Sequence, residues 1–195
     1  MDFPLQLRFK IMAIAPQISV TDNAGRLLMY VKQKAFKLKE AVTVFADEAQ
    51  TRPLYSIKAD RVIDISAQYA ITDETGTQVG VLQRKGMRSL WRAHYEVSRG
   101  GGVVLAIREA NPWVKVVDAL VGELPVIGIF TGYILHPAYL VSRADTGEVV
   151  MKATKQAAFL EGKYNIERVG DLRPEDETLA VLNVLMMLLL ERRRG

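Results

Sequence analysis

The stretch LAVLNVLMMLLL, residues 179–190, is apolar at every position except Asn183. Pro174, Glu175, Asp176 and Glu177 precede it, and Arg192, Arg193 and Arg194 follow it. Acids in a first turn and arginines in a last one complement a helix dipole at both ends, so the segment is predicted to be a helix starting near Pro174. A helix that is apolar all round must be covered all round. At 1.5 Å per residue its apolar part spans about 18 Å. A bilayer core is about 30 Å thick, so a membrane span is a poor fit. Protein on every side is the remaining cover. A sheet closed into a barrel around the helix supplies it and removes exposed strand edges.

The residues upstream read as the wall of that barrel. Trp91 to Val97 alternates apolar and polar, the period of a strand with one buried face. Similar short pieces run over Gln17–Thr21, Leu27–Lys32, Val42–Ala46, Leu54–Lys58, Tyr69–Thr72, Val79–Gln83 and Val103–Arg108. A last group is expected at Val149–Lys152, Ala157–Leu160 and Tyr164–Val169. Turn signals separate the pieces at roughly ten-residue intervals, the spacing of a meander. Asp22-Asn23-Ala24-Gly25, Asp73-Glu74-Thr75-Gly76 and Asp145-Thr146-Gly147 repeat one turn grammar. The aspartate bonds amides just ahead of it, and glycine supplies the positive φ of a hairpin. Gly100-Gly101-Gly102 reads as another hairpin turn.

Residues 111–141 differ. Asn111-Pro112 is a helix start, and Trp113, Val116, Val117, Leu120 and Val121 share a helical face. Val126 to Leu135 is apolar but broken by Gly128 and Gly132, which predicts a buried strand. Asp118 and Glu123 leave no membrane-length run here.

Composition narrows the chemistry. The chain has 195 residues, 49% hydrophobic and 25% charged, which suits one domain with its own core. It has no cysteine, so disulfides, thiolate metal sites and a cysteine nucleophile are excluded. The first residues lack the basic start and unbroken apolar run of a signal peptide. Net charge is +4, mild enough that no nucleic-acid partner is expected. The two histidines, His94 and His136, have no clustered ligand partners. No nucleophile elbow, phosphate loop or dinucleotide fingerprint is present. No catalytic residue, metal or cofactor is assigned.

Tyr30-Val31-Lys32-Gln33-Lys34-Ala35-Phe36-Lys37-Leu38, Tyr69 to Gly76 and Val81-Leu82-Gln83-Arg84-Lys85 carry a strand–turn–strand grammar that resembles the LURP-one-related proteins. These are relatives of the Tubby C-terminal domain and the phospholipid scramblases. The resemblance runs from about Leu27 to Arg193, and the last apolar helix is part of it. It implies a β-rich fold, a closed antiparallel barrel of about 12 strands around the C-terminal helix. It makes 1–195 a single Tubby C-terminal-like domain, with 111–141 as an elaboration. Tubby-type domains bind phosphoinositides through surface lysine and arginine. Scramblases carry an acidic calcium segment before the last helix. Here Arg173 interrupts the corresponding run Asp171 to Asp176, which puts calcium dependence in doubt.

Two basic clusters are the candidate lipid-binding residues. Lys32, Lys34, Lys37 and Lys39 form one. Arg84, Lys85 and Arg88 form the other, interleaved with Met87, Leu90 and Trp91. A cation near an anionic bilayer contributes on the order of 1 kcal/mol. The expected function is a non-enzymatic, cytoplasmic module bound peripherally to anionic phospholipid. The alternatives are a protein-interaction domain using residues 111–141, and an enzyme of unfamiliar type with a pocket of convergent acids or histidines.

Overall fold

A computed structural model describes residues 1–10, 17–32, 42–60, 67–85, 94–110, 138–158 and 161–192. The expected helix and strand at 111–135 lie outside the described residues. So do Lys34, Lys37, Lys39 and Arg88.

Twelve strands form one closed ring, β1-β12-β11-β10-β9-β8-β7-β6-β5-β4-β3-β2, each antiparallel to its neighbours. In chain order they begin with β1 (Leu5–Lys10), β2 (Gln17–Thr21), β3 (Leu27–Lys32), β4 (Val42–Phe45), β5 (Pro53–Ala59) and β6 (Gln68–Asp73). They continue with β7 (Gln78–Arg84), β8 (His94–Arg99), β9 (Gly102–Glu109), β10 (Ala138–Arg143), β11 (Val149–Gln156) and β12 (Glu161–Arg168). The helix α1 (Pro174–Arg192) follows and runs through the ring. Its residues from Leu179 to Leu190 are all buried, as the all-round apolar sequence demands. No helix among the described residues is long and apolar enough to cross a membrane.

Ring closure depends on a strand the sequence reading missed. β1 alternates Leu5, Leu7 and Phe9 inward with Gln6, Arg8 and Lys10 outward. It pairs with β12 on one side and β2 on the other, so it joins the two ends of the meander. Among the described residues the β3–β4 seam shows one register pair, Tyr30 with Phe45. Two further expectations change. The strand expected at Ala157–Leu160 is absent at Ala157 and Ala158, because β11 already ends at Gln156. Ala138 to Val141, read as part of an elaboration, belong to barrel strand β10. Tyr139 and Val141 are buried there.

The helix passes close to β7. A side chain on Gly80 would place its Cβ 2.6 Å from Leu179 Cδ1. Glycine at this position therefore lets helix and wall approach. Inside the barrel Asn183 is fully buried. Its Nδ2 donates to its own helix, at Leu179 O, 2.6 Å away. A short side chain in mid-helix reaches the carbonyl one turn back more readily than the wall.

The turns follow the aspartate grammar. Asp73 accepts from the Thr75 amide at 2.9 Å and the Thr77 amide at 3.0 Å. Gly76 then takes φ +84°. A fourth turn uses the same scheme without glycine. Asp47 accepts from the Thr51 amide at 3.1 Å and the Arg52 amide at 3.0 Å, and Gln50 takes φ +61°. A left-handed conformation costs a non-glycine residue about 1–2 kcal/mol. Glycine returns part of that gain as extra freedom in the unfolded chain. Gln50→Gly is therefore expected to raise stability by about 0.5–1 kcal/mol. A urea midpoint unchanged or lowered in Gln50→Gly would contradict that.

Candidate functional site

The antiparallel meander sorts its connections between two rims. β1, β3, β5, β7, β9 and β11 all finish at one rim. Register sets their last residues beside the first residues of the following strands. Lys10 faces Gln17, which in turn faces Lys32. Arg84 faces Tyr95, His94 faces Arg108, and Gln156 faces Lys163. The helix also ends here. Tyr95 Oη donates to Glu191 at 2.5 Å, and the Arg192 guanidinium lies 5.2 Å from the Phe9 ring centroid. Both predicted basic clusters thus start from this rim, at Lys32 and at Arg84.

Of the predicted lipid-binding residues within the described residues, Lys32 is exposed at the end of β3. Lys85 is half-exposed, and its Nζ lies 2.8 Å from Glu96. Arg84 requires correction. Gly80, Leu82 and Arg84 share the inward face of β7, and Arg84 is only 5% exposed. Its guanidinium lies 3.9 Å from the Glu191 carboxylate and 6.0 Å from the Tyr95 ring centroid. Arg84 therefore closes the floor of the rim and is not a surface cation. The period-two pattern around Leu82 carries that signal.

The rim holds cations that the sequence reading did not single out. Lys10, Lys58, Arg108 and Lys155 lie last or next to last on β1, β5, β9 and β11, and all are exposed. None of these four makes an ion pair with another described residue. Each stands on a strand paired on both sides, so protection of an open sheet edge does not explain it. Below them the floor is aromatic. Burial pushes the Tyr95, Tyr139 and Tyr164 hydroxyls up, and the Glu191 carboxylate adds to the effect at Tyr95. They remain protonated donors.

The opposite rim has the other sign. It carries the turn aspartates Asp22, Asp47, Asp73 and Asp145 and the first turn of α1. Asp176 and Glu177 are buried there. Arg99 lies 2.7 Å and Arg173 2.9 Å from Asp176, and Arg168 pairs with Glu177. The Thr75 hydroxyl, with nearby amides, holds Asp73 below the usual carboxylate range. The Thr51 amide does the same for Asp47, against some burial. Burial pushes Asp22 up, but the Arg26 amide and guanidinium outweigh it and leave Asp22 lowered.

A cavity of about 340 Å³ opens beside the start of α1, among Tyr55, Gln78, Arg99, Glu175, Leu179 and Leu182. Its described lining offers one acid and no histidine, short of the convergent set an unfamiliar enzyme would need. Among the described residues no group of three or more histidine, aspartate or glutamate side chains is placed to hold a metal.

The model of one family, described as LURP-one-related, matches residues 27–167. The match begins with β3 and ends within β12. A crystal structure of a protein from Arabidopsis thaliana aligns with a TM-score of 0.50 at 13% identity, over 100% of this chain and 94% of that one. At that identity the likeness speaks for the fold alone. No curated protein matches the sequence.

Proposed function

The chain belongs to the LURP-one-related family, and from that premise we propose that it is a non-enzymatic module that binds anionic phospholipid peripherally at the cytoplasmic membrane face. The observation that carries the reading is the set of exposed cations on one rim, Lys10, Lys32, Lys58, Arg108 and Lys155, which make no ion pair with another described residue. Nothing in the fold requires them. Lys34, Lys37 and Lys39 follow Lys32 in the chain, and Arg88 follows Lys85, so the same clusters carry further charge. Binding of this kind uses several weak cation–headgroup contacts, each on the order of 1 kcal/mol, and needs no deep pocket.

The test is co-sedimentation with phosphatidylserine-containing vesicles. The double substitution Lys32→Glu with Lys34→Glu is expected to weaken binding by about tenfold or more, at two contacts of on the order of 1 kcal/mol each. A circular-dichroism spectrum like that of the unaltered protein controls for folding. Undiminished sedimentation of the folded variant would turn attention to a protein partner for residues 111–141.

A further inference from the structure

The two rims differ in charge, and the difference bears on how the barrel would stand on a bilayer. One rim carries Lys10, Lys32, Lys58, Arg108, Lys155 and Arg192, all exposed. Asp60, Glu109, Glu161 and Glu191 are the described acids at that rim, and two of them are engaged. Asp60 accepts from the Gln68 amide at 2.9 Å, and Glu191 accepts from Tyr95. The other rim carries a turn aspartate in each of four hairpins and Glu175, Asp176 and Glu177 at the helix start, with Arg26, Arg99, Arg168 and Arg173 paired among them. Turn and cap chemistry account for those acids. They do not account for the cations of the first rim.

Distance decides what this separation does. The longer wall strands have six to eight residues, so at about 3.3 Å each and a tilt of about 40° the rims stand roughly 15–20 Å apart. The Debye length at physiological salt is about 8 Å. If the basic rim touched an anionic surface, the acidic rim would lie about two screening lengths away and its repulsion would be largely screened. If the barrel lay on its side, both rims would fall within one screening length, and attraction and repulsion would largely cancel. Contact through the other rim would be weaker, because its arginines are already paired with Asp22, Asp176 and Glu177, while Asp47 and Asp73 make no ion pair with another described residue.

We propose that the barrel docks end-on. The rim at the C-terminal end of α1 meets an anionic bilayer, and the aspartate turns face away from it. This posture rests on the phospholipid reading above and adds to it the contact surface and the orientation.

The chain has no cysteine, so a single introduced one can be labelled without side reaction. Three positions report on posture. Gln156→Cys lies on the basic rim, Ala24→Cys in the β2–β3 turn at the acidic rim, and Ala106→Cys on the wall in β9. Each is labelled with an environment-sensitive fluorophore and mixed with phosphatidylserine-containing or pure phosphatidylcholine vesicles, with sedimentation measured in parallel. End-on docking gives a blue shift and brightening at Gln156→Cys with anionic vesicles only, and an unchanged spectrum at Ala24→Cys. A dominant response at Ala106→Cys or Ala24→Cys overturns the posture and leaves lipid binding standing. So does sedimentation with no spectral change at any of the three. Absence of both sedimentation and spectral change removes the phospholipid reading, and the posture with it.

Discussion

Leu185→Asp is expected to abolish cooperative folding. Leu185 lies in the middle of α1 with no solvent exposure, among side chains from the surrounding wall. An ionised carboxylate there has no partner, and even its neutral form brings an unsatisfied hydroxyl and carbonyl. The cost of burying the charge exceeds the roughly 5–15 kcal/mol that holds a typical domain folded. Leu185→Ala gives the graded version. It leaves a cavity that the rigid wall cannot collapse around, and the expected loss is about 3–5 kcal/mol. Leu190→Ala, at 6% exposure near the rim, should cost less than Leu185→Ala. Thermal and urea unfolding followed by circular dichroism check all three. A Leu185→Asp protein with an unchanged midpoint would show that the helix does not occupy the barrel.

The second large effect concerns the latch at the start of α1. Glu177 is buried, whereas its partner Arg168 is 46% exposed. The N-terminal amine, 3.4 Å from Glu177, is its other cationic neighbour. The two sides of the pair should respond unequally. Removing the glutamate leaves an arginine that can turn into water. Removing the arginine leaves a buried carboxylate with only the N-terminal amine opposite it, so the loss falls at the low end of the about 3–5 kcal/mol that breaking a buried pair costs. Arg168 also lies over the Phe3 ring, 5.9 Å from its centroid, so the substitution should keep an apolar stem there. Arg168→Met is accordingly expected to destabilise by about 3 kcal/mol, and Glu177→Gln by about 1–2 kcal/mol. Equal losses, or the reverse order, from denaturant midpoints would contradict the burial asymmetry.

Much of the architecture was legible in two patterns. The all-apolar run at residues 179–190 required a cover on every side, and period-two pieces between aspartate turns supplied the strands to make it. Leu27–Lys32 and Gln17–Thr21 coincide with β3 and β2 from end to end. The misses have local causes. β1 carries the alternation Leu5, Leu7, Phe9, but it stands next to Pro4 with no turn signal before it. β10 begins directly after His136-Pro137, so the strand was read as the tail of a different element. The turn at Asp47 was hidden because Gln50 occupies the position where glycine is the usual signal.

The candidate site was less legible because charge in sequence does not reveal side. Arg84 and Lys85 are neighbours in the chain, yet one points into the barrel and the other out. Lys10, Lys58, Arg108 and Lys155 are scattered over the whole sequence as single residues. Only the register of six odd-numbered strands, all ending at one rim, brings them together. The separation of acids from bases follows in the same way. Turn aspartates fall at one rim because every second connection does.

The most direct measurement is co-sedimentation of the unaltered protein with phosphatidylcholine vesicles and with phosphatidylserine-containing vesicles, at low and at physiological salt. Screening shortens the reach of each cation as salt rises, to about 8 Å at physiological strength. The predicted result is sedimentation with the anionic vesicles only, strongest at low salt. Equal binding to both vesicle types, or no binding to either at low salt, would contradict the account.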